Sequence, residues 1–97
     1  MKIYKAIVEG RNCWANFDGT HRRLGFVTTR VGKGNDAIQA SAAIQQRLVE
    51  ELRSILLNEK EDIPEITMGE LSEIDEKTAR EIPNSGCTWY PDDPATN

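Results

Sequence analysis

The stretch from Asp36 to Asn58, DAIQASAAIQQRLVEELRSILLN, constrains this chain more than any other. Ile38, Ser41, Ala42, Ile44, Leu48, Val49, Leu52, Ile55 and Leu56 recur there at steps of three and four, while Gln39, Gln46, Arg47, Glu50 and Arg53 fall opposite. That spacing predicts one helix with a wide apolar side. Asp36 stands where an N-cap belongs, with Gln39 three residues on as its reciprocal partner. The alanines and serine from Ala37 to Ala43 make the first turns thin, which suits close approach to a flat surface. A lone helix of this kind must bury its apolar side against another layer, and the remaining sequence reads as the sheet that supplies it.

Lys2 to Glu9 alternates as a first strand, with Tyr4, Ala6 and Val8 on one side and Ile3 and Ile7 with Lys5 on the other. Gly10, Arg11 and Asn12 read as a turn, and Cys13 to Phe17 as a short second strand. Asp18-Gly19 suits the positive backbone angles of a tight hairpin turn. Arg22 to Val31 is the third strand, broken by Gly32-Lys33-Gly34-Asn35. After the helix, Pro64 forces Ile63 to be extended. Ile66, Met68, Leu71 and Ile74 then form a fourth strand whose alternation slips, as a bulge near Gly69 would produce. A short fifth strand is expected near Thr88. The predicted fold class is α+β: one mostly antiparallel sheet of four to five strands packed on a single long helix, in β-β-β-α-β order. Residues 1–82 are expected to form a single domain and residues 83–97 a partly ordered tail.

A chain of 97 residues can bury a core without metal or disulfide staples. Its net charge of −4 hides a division. Residues 1–48 carry eight Lys and Arg against three acids, and residues 49–97 carry four against thirteen. Two such halves either neutralise each other within the fold or present a charged surface to a partner. Cys13 and Cys87 have no CxxC spacing and read as buried or incidental thiols. With them and one histidine, His21, no metal site and no cofactor is implied. The opening MKIYKAIVEG has no apolar run of signal-peptide length, and no stretch approaches the span of a membrane helix. A cytoplasmic location without membrane partners is therefore expected.

Three constellations carry potential chemistry. The VGKGND loop between strand and helix has the glycines of an anion-binding turn, but Lys33 is followed by Gly34 instead of the Ser or Thr of a phosphate-binding loop. Arg11, His21, Arg22, Arg23, Arg30 and Lys33 are candidate contacts for an anionic partner, with Trp14, Phe17 and Phe26 near enough in sequence to stack on bases. Gly25-Phe26-Val27 overlaps an RNA-recognition strand signature, yet that fold needs a helix between its first two strands and residues 9–22 leave no room for one. Catalysis has the least support, since His21 lacks an evident acid-base partner and nothing near Cys13 in sequence is bound to lower its pKa. The third constellation is apolar. One helix covers one side of a sheet, so Ile3, Ile7, Trp14, Val27, Trp89 and Tyr90 form a candidate binding surface on the other, to be covered by a second copy or by the chain's own tail.

The block GFVTTRV at Gly25 to Val31, followed by an alanine-rich helix, an acidic strand and the aromatic tail GCTWYPDD, resembles a group of small bacterial α+β proteins of about this length. That resemblance covers most of the chain and supplies no site residues. The element order is also similar to that of HicB-type antitoxins, whose small domain has three strands, one helix and a further strand. The DNA-binding extension and the proline-glycine-cysteine segment of that family have no counterpart here. The function expected from all this is that of a small non-enzymatic module acting through protein contacts, in an antitoxin-like or immunity-like role, its partner another protein or a second copy of itself. Nucleic-acid binding through the basic N-terminal half is the alternative.

Overall fold

Asp18 and Gly19 adopt φ angles of 54° and 79°, the pair of left-handed residues that lets two strands reverse in register with their natural twist. They close a long antiparallel hairpin between β1 (Lys2–Phe17) and β2 (Thr20–Gly34) in a computed structural model that describes residues 1–92. The turn expected at Gly10 to Asn12 is instead a bulge within one continuous strand. Gly10 pairs with Phe26 and the next pair is Cys13 with Leu24, so β1 spends one residue more than β2. Asn12, at φ 58°, absorbs the extra residue in the left-handed region that Asn tolerates. The reason for continuity lies across the ladder: β2 runs unbroken from Thr20 to Gly34, and a continuous partner holds both halves of β1 in one strand.

α1 (Ala37–Arg53) starts where its cap predicts. Asp36 Oδ1 accepts from the Gln39 amide at 2.9 Å, and the Gln39 side chain accepts from the Asn35 amide at 2.9 Å. It ends five residues before the expected Asn58. The amides of Ile55 and Leu56 both turn back to the Leu52 carbonyl, and the Leu57 amide then leaves for the Trp14 carbonyl at 2.7 Å. Asn58 completes that exit, its Oδ1 accepting from the Trp14 amide at 2.9 Å. A bond to the edge of β1 thus replaces the last helical turn.

The buried side of α1 is narrower than its sequence predicts: Ala40, Ile44, Leu48 and Leu52, one per turn. A Cβ on Gly32 would stand 2.6 Å from Ile44 Cγ1, and one on Gly34 2.6 Å from the Ala40 nitrogen. Helix backbone and strand backbone meet there so closely that only a single stripe fits between them. Ile38, Val49 and Ile55, expected on the apolar side, are exposed.

The far edge of β1 is lined by β3 (Glu65–Met68) and β4 (Ser72–Ile74). Val8 pairs with Met68 but Lys5 with Ser72, so one extra residue sits between them, and the Gly69 amide bonds the Ile7 carbonyl at 2.9 Å. The expected bulge near Gly69 is therefore present and divides the fourth strand in two. β5 (Thr88–Pro91) pairs with Leu24 to Val27 of β2. The fold is α+β, with a five-stranded antiparallel sheet, order β3-β1-β2-β5 with β4 also on β1, and two helices instead of one. Element order is β-β-α-β-β-α-β. Residues 93–97 of the expected tail lie outside the described residues.

The second helix, α2 (Glu76–Arg80), belongs to the connection from β4 to β5. Since β4 pairs with β1 and β5 with β2, this connection must cross the sheet. It crosses on the face away from α1, where Glu81, Ile82 and Pro83 line a groove with Val27 and Thr29. Asn84 then acts as a one-residue strand: its side-chain amide accepts from the Val31 amide and donates to the Val31 carbonyl, both at 3.0 Å. Between sheet and α1 lies the core of Ala6, Val8, Cys13, Phe26, Ile44, Leu48 and Leu52, ringed by Leu56, Ile66, Met68, Leu71, Cys87 and Trp89.

Candidate functional site: an apolar flank beside the long helix

Strand alternation sorts the expected apolar surface. Ile3, Ile7, Trp14, Val27 and Tyr90 alternate onto the face away from α1, whereas Trp89 points into the core and meets the Phe26 ring at 5.3 Å between centroids. Tyr90 lies flat over its cross-strand partner: a Cβ on Gly25 would stand 2.6 Å from its ring. Ile3 is half-buried opposite Ile74 of β4, and the amide and carbonyl of half-buried Trp14 are taken by Asn58 and Leu57. Of these six only Ile7 and Val27 remain exposed, at 54% and 37%. The α2 crossing and Tyr90 cover much of what the sequence left to a partner.

The basic residues are not gathered. Arg30 is buried, and its guanidinium is spent inside the protein. Its Nε donates to Thr28 Oγ1 at 2.9 Å, and its Nη2 to the Gly86 carbonyl at 2.8 Å and to Glu51 of α1. Arg23 Nε donates to the Asp92 carbonyl at 2.7 Å, Arg11 stands opposite Glu65, and Arg22 rests 5.7 Å from the Phe17 ring centroid. Lys33 lies at the other end of β2 from Arg22, roughly 36 Å along an extended strand. At the tip of the hairpin His21 and Arg23 alternate onto the face away from α1 and Arg22 onto the other. In the VGKGND loop the Asp36 carboxylate occupies the Gln39 amide in the first turn of α1.

The Arg30 cluster joins three elements. Glu51 receives Arg30 on one oxygen and the Gly86 amide on the other at 3.3 Å, so α1, β2 and the approach to β5 share one charged knot. The hydrogen bond from Arg30 holds the Glu51 carboxyl below the usual carboxylate range. Burial acts in the opposite sense on the thiols. Cys13 is pushed up to about 11, first by loss of hydration and then by Asp92 and Cys87, and Cys87 is raised by burial. Both thiols are free and neutral at ordinary pH, packed as small apolar groups. Among the described residues no group of three or more His, Cys, Asp and Glu side chains is placed to hold a metal ion, and no helix is long and apolar enough to cross a membrane.

The open apolar ground lies elsewhere, on the flank of α1. A groove of about 510 Å³ runs between the C-terminal half of α1 and the segment from Asn58 to Ile66. Val49, Leu52, Leu56, Ile63, Pro64 and Ile66 supply its apolar walls, with Gln45, Arg53, Lys60 and Asp62 at the rim. A shallower track along Ala42, Gln45, Gln46, Val49, Glu50 and Arg53 continues it up the helix. Ile63 on its wall is 74% exposed, and Ile38, one helical turn before Ala42, is 80% exposed. The groove exists because Asn12 draws the chain after α1 back to the bulge: its Nδ2 donates to Asp62 Oδ1 at 2.7 Å, and its carbonyl accepts from Asn58 Nδ2 at 2.9 Å. Sequence periodicity placed Ile38 and Val49 on the buried side and read Ile63 only as a residue before proline. A second stripe, Ile38, Ala42, Gln45, Val49, is the signal that distinguishes them. The chain matches no family model, no curated protein and no solved structure.

Proposed function

We propose that this chain is a small protein-binding module acting through contact, and that the flank of α1 with its groove is the contact surface. The observation that carries the reading is the open groove walled by Val49, Leu56, Ile63 and Pro64, with Ile63 74% exposed on that wall. Burying a large aliphatic side chain is worth roughly 1.5–3 kcal/mol. An exposed isoleucine on the wall of a groove offers a partner that gain without rearrangement of the fold. The hairpin tip favours nucleic acid as a second reading, since Arg22 and Phe17 present a cation and a ring together there.

A photo-crosslinking residue at Gln46, beside the groove, tests the first reading in the native cell, with the same residue at Thr20 in the hairpin turn as the comparison. The expected result is a discrete protein adduct from position 46 that Ile63→Glu suppresses. Adducts of equal yield at both positions, or none at 46, would overturn it. A nucleic-acid adduct confined to position 20, lost steeply as salt is raised, selects the second reading.

A further inference from the structure

Taking the binding-module reading above as the basis, we infer that the outer edge of β3 takes up an extended segment of a protein partner as an added strand, and that this segment alternates basic with apolar side chains. Among the described residues β3 is the last strand on its side of the sheet. The Gly69 amide donates to the Ile7 carbonyl, so Gly69, Thr67 and Glu65 turn their backbone groups toward β1, and Met68 and Ile66 turn theirs outward. The opposite side of the sheet is guarded. On β5 the Asp92 amide faces the Arg23 carbonyl of β2, which leaves Pro91, with no N–H to offer, at the outward position beside it. Beyond β5 the edge of β2 is stopped by the side chain of Asn84 on both backbone groups of Val31. Prolines and covering groups of this kind keep an edge from pairing. Glu65–Met68 contains no proline, and its outward amides offer a strand its ladder.

Charge selects the partner. Residues 59–76, which contain both strands of this edge, carry eight acids and one lysine. Glu61, Glu65, Glu70 and Glu73 are all exposed, and Arg11, opposite Glu65, offsets one of them. The side chains of β3 alternate, Ile66 and Met68 toward the core and Glu65 and Thr67 onto the other face. Ile66 is also a wall of the groove. A strand laid about 4.8 Å beyond β3 therefore points every second side chain toward that groove, where apolar groups are buried, and the others to the face of Glu65. A lysine or arginine there meets an opposite charge across the strands. Two copies of this chain joined through β3 would instead set their own Glu65, Glu70 and Glu73 side by side. The same row repels nucleic acid.

A short peptide alternating lysine with valine is the probe, titrated into the full chain at low salt. A peptide alternating glutamate with valine, and the lysine peptide N-methylated at every amide, are the comparisons. The lysine peptide is expected to saturate and to slow amide hydrogen exchange at Ile66 and Met68. Both comparison peptides should bind at least about tenfold more weakly. The lysine peptide should lose a similar factor on the double variant Glu65→Lys, Glu70→Lys, which should melt as the parent does because both positions are exposed. Equal binding of the two charged peptides overturns the inference in favour of apolar contact alone. Binding that leaves exchange at Ile66 and Met68 unchanged overturns the strand addition, and so does a lysine peptide that fails to saturate below millimolar concentration. With any of these results, a protein adduct at Gln46 leaves the binding-module reading standing, and its absence removes both.

Discussion

Glu51→Ala isolates the charged knot. In the parent, the Arg30 side chain is 2% exposed and Glu51 30% exposed. Truncation leaves the guanidinium bonded to Thr28 and Gly86 but without a counter-charge, and it strips the Gly86 amide of its acceptor. Removing one partner of a fully buried pair costs about 3–5 kcal/mol. Because Glu51 is partly in solvent, water can reach the vacated position and solvate Arg30, so the expected loss is nearer ~2 kcal/mol. With a urea slope of about 1–1.5 kcal/mol/M, the unfolding midpoint should fall by roughly 1.3–2 M at neutral pH. Glu51→Gln keeps the shape and a neutral acceptor, and should fall between. The pH dependence supplies an independent check. An unfolded glutamate titrates near roughly pH 4.3, whereas Arg30 depresses the folded value. On acidification the unfolded chain therefore takes up the proton first. The contribution of the pair is complete above that pH and disappears as pH falls through the depressed folded value. The gap between parent and Glu51→Ala should close in that acidic window. Equal urea midpoints at pH 7, or a gap that ignores pH, would refute the assignment of Arg30 and Glu51 as a stabilising pair.

Two further substitutions probe the packing. Leu48→Ala, at a wholly buried position, should cost about 2–5 kcal/mol, whereas Val49→Ala on the open flank should change monomer stability by less than about 0.5 kcal/mol; thermal melts of similar size for both would contradict the narrow buried stripe. Gly10→Ala places a Cβ 1.9 Å from Phe26 Cε2 and forces that ring from its seat beside Trp89, so a loss of about 1–3 kcal/mol is expected, with an unchanged near-ultraviolet signal from Trp89 counting against it.

Much of the backbone plan was legible in short-range chemistry. Asp18-Gly19 specifies its hairpin turn through two positive φ angles, Asp36 specifies the start of α1 through its carboxylate, and Gly69 marks a real bulge. The turn at Gly10 to Asn12 was misread because an Asn in the left-handed region serves a bulge as readily as a turn. The choice rests with the partner strand, whose Phe26 and Leu24 pair with Gly10 and Cys13 on either side of Asn12. The end of α1 escaped for the same kind of reason. Ile55, Leu56 and Leu57 are good helix formers, but Trp14 offered the Leu57 amide a carbonyl on the sheet edge.

The same division holds for the candidate site. Alternation by itself determined which residues of β1 and β2 share a face, since successive side chains in a strand must point oppositely whatever surrounds them. It determined also that α1 would be amphipathic, because its period is a property of the helix. Which apolar residues the helix would bury was decided only in three dimensions. Gly32 and Gly34 admit α1 so closely that one row of side chains fills the gap, and Ile38 and Val49 are left outside. Arg30 reads as a surface cation until Glu51, 21 residues on, and Gly86, 56 residues on, close around it. Burial of a charge depends on partners brought together by the fold, and no local pattern of residues encodes that meeting.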